Sequence, residues 1–322
     1  MGPFDLVVGF DMDGFLVGRH LTAPYVLCLK GVAADEANFA SGFDRLELSV
    51  LARLERWNAR AAAAVIVPSQ YSADVASEVY GIPPDRLRVV PEPLDERAFP
   101  DDADPSTRDR TPTHPFVLSV ARQYPRKDTA TLLRAFASVV QRIPRARLRI
   151  IGGGPQLAAL RALAEELVLG DHVIFDGAVD EDAAVRAAYG EADLFCLPSL
   201  QEGFGIVFLE AMAAGLPVVA ARAGAAPEVI EEGVTGVLVP PRSAAELADV
   251  LLTLLSDHDR RRAMGEAGRR HARTFGRDRV AALFLEASGV APGRSGKRPA
   301  SEVEVQVKGI GTLAAPPAPG RR

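Results

Sequence analysis

Between Pro198 and Ala220 the chain reads PSLQEGFGIVFLEAMAAGLPVVA, and two carboxylates, Glu202 and Glu210, flank a Gly-Phe-Gly turn (Gly203, Phe204, Gly205). The turn opens at Ile206 and Val207 into a helix-forming run. Glycines let a backbone approach a ligand closely, and the free N–H groups of a helix start attract anions. Glu210 falls about one helical turn past that start, within reach of the same ligand. It also sits among Phe208, Leu209, Ala211 and Met212, where a carboxylate is costly unless it is hydrogen-bonded or serves a site. A ligand bearing both hydroxyls and phosphates suits this arrangement, and a nucleotide sugar is such a ligand. Two surface carboxylates beside a helix are the plainer alternative.

Two further clusters bear on the same chemistry. ARQYPRKD (121–128) follows an apolar run, and Arg122 and Lys127 there suit the neutralisation of a diphosphate leaving group, a task a metal performs elsewhere. A solvated charged turn before a helix fits the same residues. Gly152-Gly153-Gly154-Pro155 offers close backbone approach at Gly153 and Gly154, with Pro155 suited to a first helical position. It lacks the spacing of a dinucleotide fingerprint or a phosphate-loop Lys-Ser/Thr, so a plain tight turn competes. The five histidines are scattered, in neither metal-ligand nor Ser-His-Asp spacing, so metal and nucleophile chemistry have no support.

The elements that must position these residues alternate. In the first third, LVVGF, YVLCL, 64–67 and 87–90 read as strands, with helices over about 45–61 and from Pro68-Ser69 to about Tyr80. Residues 100–115, PDDADPSTRDRTPTHP, are polar and proline-rich and mark a linker. Beyond them, strands are expected at 116–120, 148–151, 173–175, 194–197, 218–220 and 237–239. Helices are expected at 128–142, 156–168, 182–190, 206–214 and 227–232, then at 243–256, 258–274 and 277–287. Such alternation implies parallel sheets with right-handed crossovers, which bind nucleotides at the carboxyl ends of the strands. The expected organisation is α/β: a first domain over 1–99, a linker at 100–115, a nucleotide-sugar-binding domain over 116–276, a terminal helix at 277–291 and a disordered tail at 292–322. Within that tail EVEVQV alternates and suits addition to a sheet edge.

A chain of 322 residues with 48% hydrophobic content suits two domains and needs neither disulfide nor metal to stay folded. The net charge of -5 argues against general nucleic-acid binding. Cys28 and Cys196 lie in apolar runs and read as buried free thiols of a reducing compartment. With no signal core and no apolar run of about 18 residues or more, the chain is expected to be cytoplasmic. The arginine-bearing helix at 45–61 reads first as a core-facing helix with a solvated side. Rest on an anionic membrane, as peripheral contact at its inner face, is the alternative.

Four stretches together resemble the retaining glycosyltransferases of family 4: SVARQYPRKDTATLLRAF, LRIIGGGPQLAALRALAEEL, LPSLQEGFGIVFLEAMAAGLPVVA and AGAAPEVIEEGVTGVLVPP. The resemblance spans about Phe4 to Leu285 and includes the family's pattern of Glu, seven residues, Glu. It implies the GT-B fold, two Rossmann-like doubly wound domains facing a cleft. It implies transfer of a hexose from a UDP-, GDP- or ADP-sugar to a hydroxyl acceptor, with retention of configuration and no required metal or other cofactor. Arg122 and Lys127 would hold the donor diphosphate and Glu202 would contact the donor sugar near the reacting carbon. Backbone from Phe204 to Val207 would contact sugar and phosphate, Glu210 would take the ribose hydroxyls, and Gly153 and Gly154 fit a loop near the nucleotide. The acceptor would be a carbohydrate, a lipid or a small molecule.

DLVVGFDMDGF, VIVPSQYSADV and LRVVPEPLD extend the resemblance with two departures: Glu92-Pro93-Leu94 replaces the commoner Asn-Gly-Val, and Lys30-Gly31 replaces a His-Gly pair. Phe4-Asp5 resembles a point well inside the first domain, which is therefore expected to be incomplete, with about four strands and an edge that would ordinarily be covered. Either the true start lies upstream, or the chain is shortened and does not turn over alone. A non-catalytic nucleotide-sugar-binding subunit or degenerate fragment is accordingly the alternative to an enzyme. An epimerase or a phosphorylase is a more distant one.

Overall fold

In a computed structural model that describes residues 4–16, 22–99 and 115–289, the apolar runs form two parallel sheets. The expected linker (apart from Pro115) and the expected tail lie outside the described residues. The first sheet runs β1 (Val7–Phe10), β2 (Tyr25–Cys28), β3 (Ala64–Val67) and β4 (Leu87–Val89), in that spatial order and all parallel. Successive side chains of a strand point to opposite faces. Tyr25 and Leu27 accordingly pack with Ala59, Ala73, Ala76 and Tyr80, and Val26 and Cys28 with Ile66 and Val90. Both cysteines are buried free thiols, and burial pushes the Cys28 thiol up to about 11.

The short α1 (Ala33–Glu36) and the long α2 (Gly42–Ala61) connect β2 to β3, and α3 (Gln70–Tyr80) connects β3 to β4. Local chemistry sets the ends of α3. The Ser69 hydroxyl accepts from the Ser72 amide at its start. Gly81, at φ 64°, takes the left-handed conformation at its end and donates to the Ser77 carbonyl.

The second sheet has six parallel strands in the order β10-β9-β8-β5-β6-β7. These are β5 (Phe116–Val120), β6 (Arg147–Ile151), β7 (Val173–Gly177), β8 (Leu194–Leu197), β9 (Val218–Ala221) and β10 (Gly236–Val239). On one face lie α4 (Thr129–Arg142), α5 (Leu157–Glu166), α9 (Ala244–Ser256) and α10 (His258–Ala272), through Leu133, Phe136, Leu160, Leu251 and Met264. On the other lie α6 (Asp182–Glu191), α7 (Ile206–Ala213) and α8 (Ala226–Val229), through Tyr189, Phe208, Met212 and Val229. Every strand and helix expected here forms, with ends differing by up to three residues.

Two features revise the expected domain limits. Leu94 and Phe99, placed by the sequence in the first domain, pack in the core of the second sheet. The Leu94 amide donates to the Phe275 carbonyl at 2.8 Å and bridges Gly276, so the chain crosses between the sheets before residue 99 and returns alongside that crossing. The terminal helix α11 (Arg277–Ala287) then lays Val280 and Phe284 against Val26, Cys28 and Ile66, covering the free face of the first sheet.

Candidate active site

From β5 the chain continues to β6 and β7 on one side, and from β8 to β9 and β10 on the other, so the strand order reverses between β5 and β8. Loops leaving such adjacent strands diverge and open a crevice at their carboxyl ends, the usual ligand position in doubly wound sheets. Arg122 and Lys127 leave β5 there and Glu202 leaves β8, which is why residues far apart in sequence share one site.

Pro125–Lys127 form one 3-10 turn, and Asp128 at φ 48° starts α4. The Leu200 amide donates to the Arg126 carbonyl at 2.7 Å, fixing the β5 loop against the β8 loop. Lys127 and Glu202 are both buried, and the ammonium donates to Glu202 Oε1 at 2.6 Å. Burial holds Lys127 below the usual lysine pKa, and the Glu202 charge works against that shift. The sequence supplied these two residues for separate tasks; the structure makes them one ion pair. Arg122 is exposed, its guanidinium 5.3 Å from the centroid of the Tyr124 ring, and has no ion pair among the described residues. Arg126 is instead committed to Glu36, at 3.1 Å.

Gly205 stands at φ 91° as the residue before α7, and a Cβ there would lie 2.5 Å from the Phe208 ring. Only glycine fits that turn, which delivers the first α7 amides, at Ile206 and Val207, without a carbonyl one turn back. Glu210 follows on the same helix. Burial raises its pKa, and the Tyr189 hydroxyl, donating to Oε2 at 2.9 Å, opposes the shift. Its place in an apolar run is thus satisfied by a partner that sequence reasoning missed, because Tyr189 reads as one more apolar residue of α6.

The close approaches of the 152–154 loop are to protein. A Cβ on Gly152 would lie 1.9 Å from the Ala121 carbonyl oxygen, and one on Gly154 2.7 Å from the Gln123 amide nitrogen. The Gln123 amide donates to the Gly153 carbonyl at 2.9 Å. Gly153 and Gly154 therefore also brace the loop that carries Arg122.

The first sheet closes on the Gly-Phe-Gly turn. The Gly203 carbonyl accepts from the hydroxyls of Ser69 (2.6 Å) and Ser72 (3.0 Å), and a Cβ on Gly203 would stand 3.3 Å from the Lys30 carbonyl oxygen. Glu228 of α8 accepts from the amides of Gln70 and Tyr71, both at 2.7 Å, at the start of α3. Ser69, Ser72 and Glu228 were not singled out from sequence; the helix-start pattern Pro-Ser-Gln at 68–70 was the one available signal. Lys30 and Glu92, the two departures from the usual pattern, pair with each other: the ammonium donates to both carboxylate oxygens at 2.8 and 2.9 Å.

A family model described as glycosyl transferases group 1 matches residues 102–271, and one described as a glycosyl transferase 4-like domain matches residues 2–93. The chain is 40% identical over 212 residues to a GDP-mannose-dependent alpha-(1-6)-phosphatidylinositol monomannoside mannosyltransferase of Mycobacterium tuberculosis, covering 62% of this chain and 54% of that protein. It is 39% identical over 208 residues to a D-inositol 3-phosphate glycosyltransferase of Corynebacterium glutamicum, covering 61% and 50%. The chain thus spans about half the length of the curated relatives it matches. Among solved structures, a sucrose-phosphate synthase from Thermosynechococcus elongatus superposes with a TM-score of 0.74 at 26% identity, over 88% of this chain and 72% of that one. Anabaena HepE in complex with UDP-glucose gives 0.71 at 26%, over 88% and 78%.

Proposed function

The chain belongs to the group 1 glycosyl transferases and has the GT-B fold, and from that membership we propose that it transfers a hexose from a nucleoside-diphosphate sugar to a hydroxyl acceptor, with retention and without a metal. The observation that carries this reading is the buried Lys127–Glu202 pair at the strand-order reversal, beside exposed Arg122 and the start of α7. Arg122 and Lys127 hold the diphosphate and stabilise it as it departs, supplying positive charge where it develops. Glu202 lies against the donor sugar. The amides at Ile206 and Val207 take sugar and phosphate oxygens, and Glu210, held by Tyr189, takes the ribose hydroxyls. Gly153 and Gly154 set the loop bordering the nucleotide.

In the transfer, the acceptor oxygen forms a bond to the anomeric carbon on the face the diphosphate leaves. The anomeric carbon–oxygen bond breaks with its electron pair on the diphosphate, and the acceptor proton passes to that oxygen. A curated relative is named for GDP-mannose, so a GDP-hexose is the first donor to try. The same names favour a polyol or lipid-linked carbohydrate acceptor.

A panel of UDP-, GDP- and ADP-sugars tests donor binding, since a ligand at 100 times its dissociation constant stabilises the native state by about 2.7 kcal/mol. Transfer is then followed by NMR of the product anomeric proton in the presence of a chelator. Glu202→Ala and Arg122→Ala are expected to abolish transfer. Full turnover by both variants, or an inverted product, overturns the assignment. Donor binding without transfer to any acceptor points instead to a nucleotide-sugar-binding subunit.

A further inference from the structure

Of the two cations at the strand-order reversal, Arg122 has the less to hold it. Lys127 is buried against Glu202. Arg122 is exposed and, among the described residues, its guanidinium enters neither an ion pair nor a hydrogen bond. What it meets is the Tyr124 ring, with Cζ 5.3 Å from the centroid. The Tyr124 amide donates to the Arg122 carbonyl at 2.8 Å, a three-residue turn that closes the backbone of one onto the other. The ring is itself held: Arg126 Cζ lies 5.8 Å from the same centroid, and that guanidinium is tied to Glu36 of α1 at 3.1 Å and to the Gln201 carbonyl at 3.5 Å. Tyr124 also differs from the other four tyrosines. Tyr25 donates its hydroxyl to the Asp13 carbonyl, and Tyr71, Tyr80 and Tyr189 donate theirs to Asp35, Glu55 and Glu210. The Tyr124 hydroxyl has no such partner among the described residues, and its half-buried ring joins none of the apolar cores there. What Tyr124 contributes is the face of its ring.

We propose that Tyr124 is a positioning residue, its ring holding the Arg122 guanidinium in place for the donor diphosphate. An arginine free in solvent samples many rotamers, and an anion that binds it must first order it. A ring face against the guanidinium does that ordering beforehand, because the negative π face attracts the cation without using any of its N–H donors. All five donors then stay available to phosphate oxygens. Arg126 does not drive Arg122 off the ring, since Glu36 offsets its charge. The inference rests on the donor-site reading above and adds to it the residue that sets the exposed cation.

Binding of UDP, GDP and ADP to the full chain is measured by calorimetry, and the tightest of the three is carried to the variants. Tyr124→Leu changes no charge, so a loss of affinity reports on geometry rather than on the field at the site. It is expected to weaken the nucleoside diphosphate about 2- to 30-fold, the range of a cation–π contact from exposed to desolvated. Tyr124→Phe keeps the ring and should bind as the parent does. A double-mutant cycle separates positioning from other roles: in an Arg122→Ala background, Tyr124→Leu should cost no further affinity. The same loss in both backgrounds would mean that the ring touches the nucleotide or only supports the fold, and would overturn the proposal. So would a Tyr124→Leu variant that binds like the parent, or a Tyr124→Phe variant as weak as Tyr124→Leu. Tyr124→Gln, which also lacks a ring, takes the place of Tyr124→Leu should the latter melt early. A parent chain that binds none of the three nucleotides fails the donor-site reading itself and takes the proposal with it.

Discussion

Replacing Glu202 by Gln preserves the size of the side chain and removes its charge, leaving Lys127 as the lone cation of a pair whose side chains are 8% and 11% exposed. Breaking a buried ion pair from one side costs about 3–5 kcal/mol, because the remaining charge is desolvated without compensation, whereas replacing both partners by neutral groups is often close to neutral. Glu202→Gln and Lys127→Met are therefore each expected to lower unfolding free energy by about 3–5 kcal/mol. The double variant should recover most of that loss. The pH dependence separates a charge effect from a packing effect. Burial already lowers the Lys127 pKa, and Glu202 is the largest influence opposing it, so Glu202→Gln lowers it further. Between its folded and unfolded pKa values, Lys127 then binds fewer protons in the native state than in the unfolded one, and stability rises with pH. Urea unfolding of the variant against the unaltered chain, followed from pH 7 up to the ordinary lysine value of about 10.4, should show the deficit shrinking by up to about 1.4 kcal/mol per pH unit. A deficit below about 1 kcal/mol, additive single variants, or a deficit independent of pH would refute the reasoning.

Glu55 offers a second pH signature. Burial pushes its carboxyl up to about 7 from an unfolded value near 4.5, against hydrogen bonds from the Tyr80 hydroxyl and the Ala33 amide. A raised carboxyl pKa contributes stability that is full below the unfolded value and lost as pH climbs through the folded one. Stability should therefore fall by up to about 3 kcal/mol from pH 4.5 to 7, and Glu55→Gln should flatten that slope; an unaltered slope in denaturant titrations counts against the assignment. Gly205→Ala forces a side chain into the left-handed region and onto the Phe208 ring, at a cost of about 1–3 kcal/mol in thermal unfolding together with loss of nucleotide-sugar binding; a variant that melts and binds like the parent would show that the α7 entry is not fixed as described. Glu228→Ala removes the acceptor of two α3 amides from an exposed position, so a loss of about 1 kcal/mol is expected, comparable to a helix cap, and no measurable change would mean that water replaces the carboxylate.

How much could be read from the sequence differs by kind of residue. Apolar runs such as 64–67 and 194–197 announced strands because β-branched and aromatic residues bounded by turns have few other uses in a chain of this composition. The Gly-Phe-Gly turn was legible because only glycine tolerates φ 91° at Gly205. What stayed hidden depended on strand order. The Lys127–Glu202 pair spans 75 residues, and nothing local says that β8 lies beside β5 rather than beside β7. The Tyr189–Glu210 bond needs the packing of α6 on α7, and the Lys30–Glu92 pair needs β2 and β4 to present their ends to one cleft. Both members of that last pair stood out as departures from a pattern, but their common cause lies in three dimensions. The domain limit was misplaced for a related reason: polar composition marks where a chain is solvated, whereas Leu94 and Phe99 had changed cores before the polar stretch began.

The return of α11 to the first sheet has a consequence for synthesis. A ribosome delivers β2, α2, β3, α3 and β4 first, but the face carrying Val26, Cys28 and Ile66 waits for Val280 and Phe284, made almost two hundred residues after β4. The second sheet has all its strands and most of its helices before that moment and can collapse while its predecessor is half covered. Vectorial folding here runs out of order, and the Cys28 thiol, shut beneath the last helix, is a natural clock for it. Its reactivity toward an alkylating probe should persist on stalled nascent chains until α11 has cleared the exit tunnel.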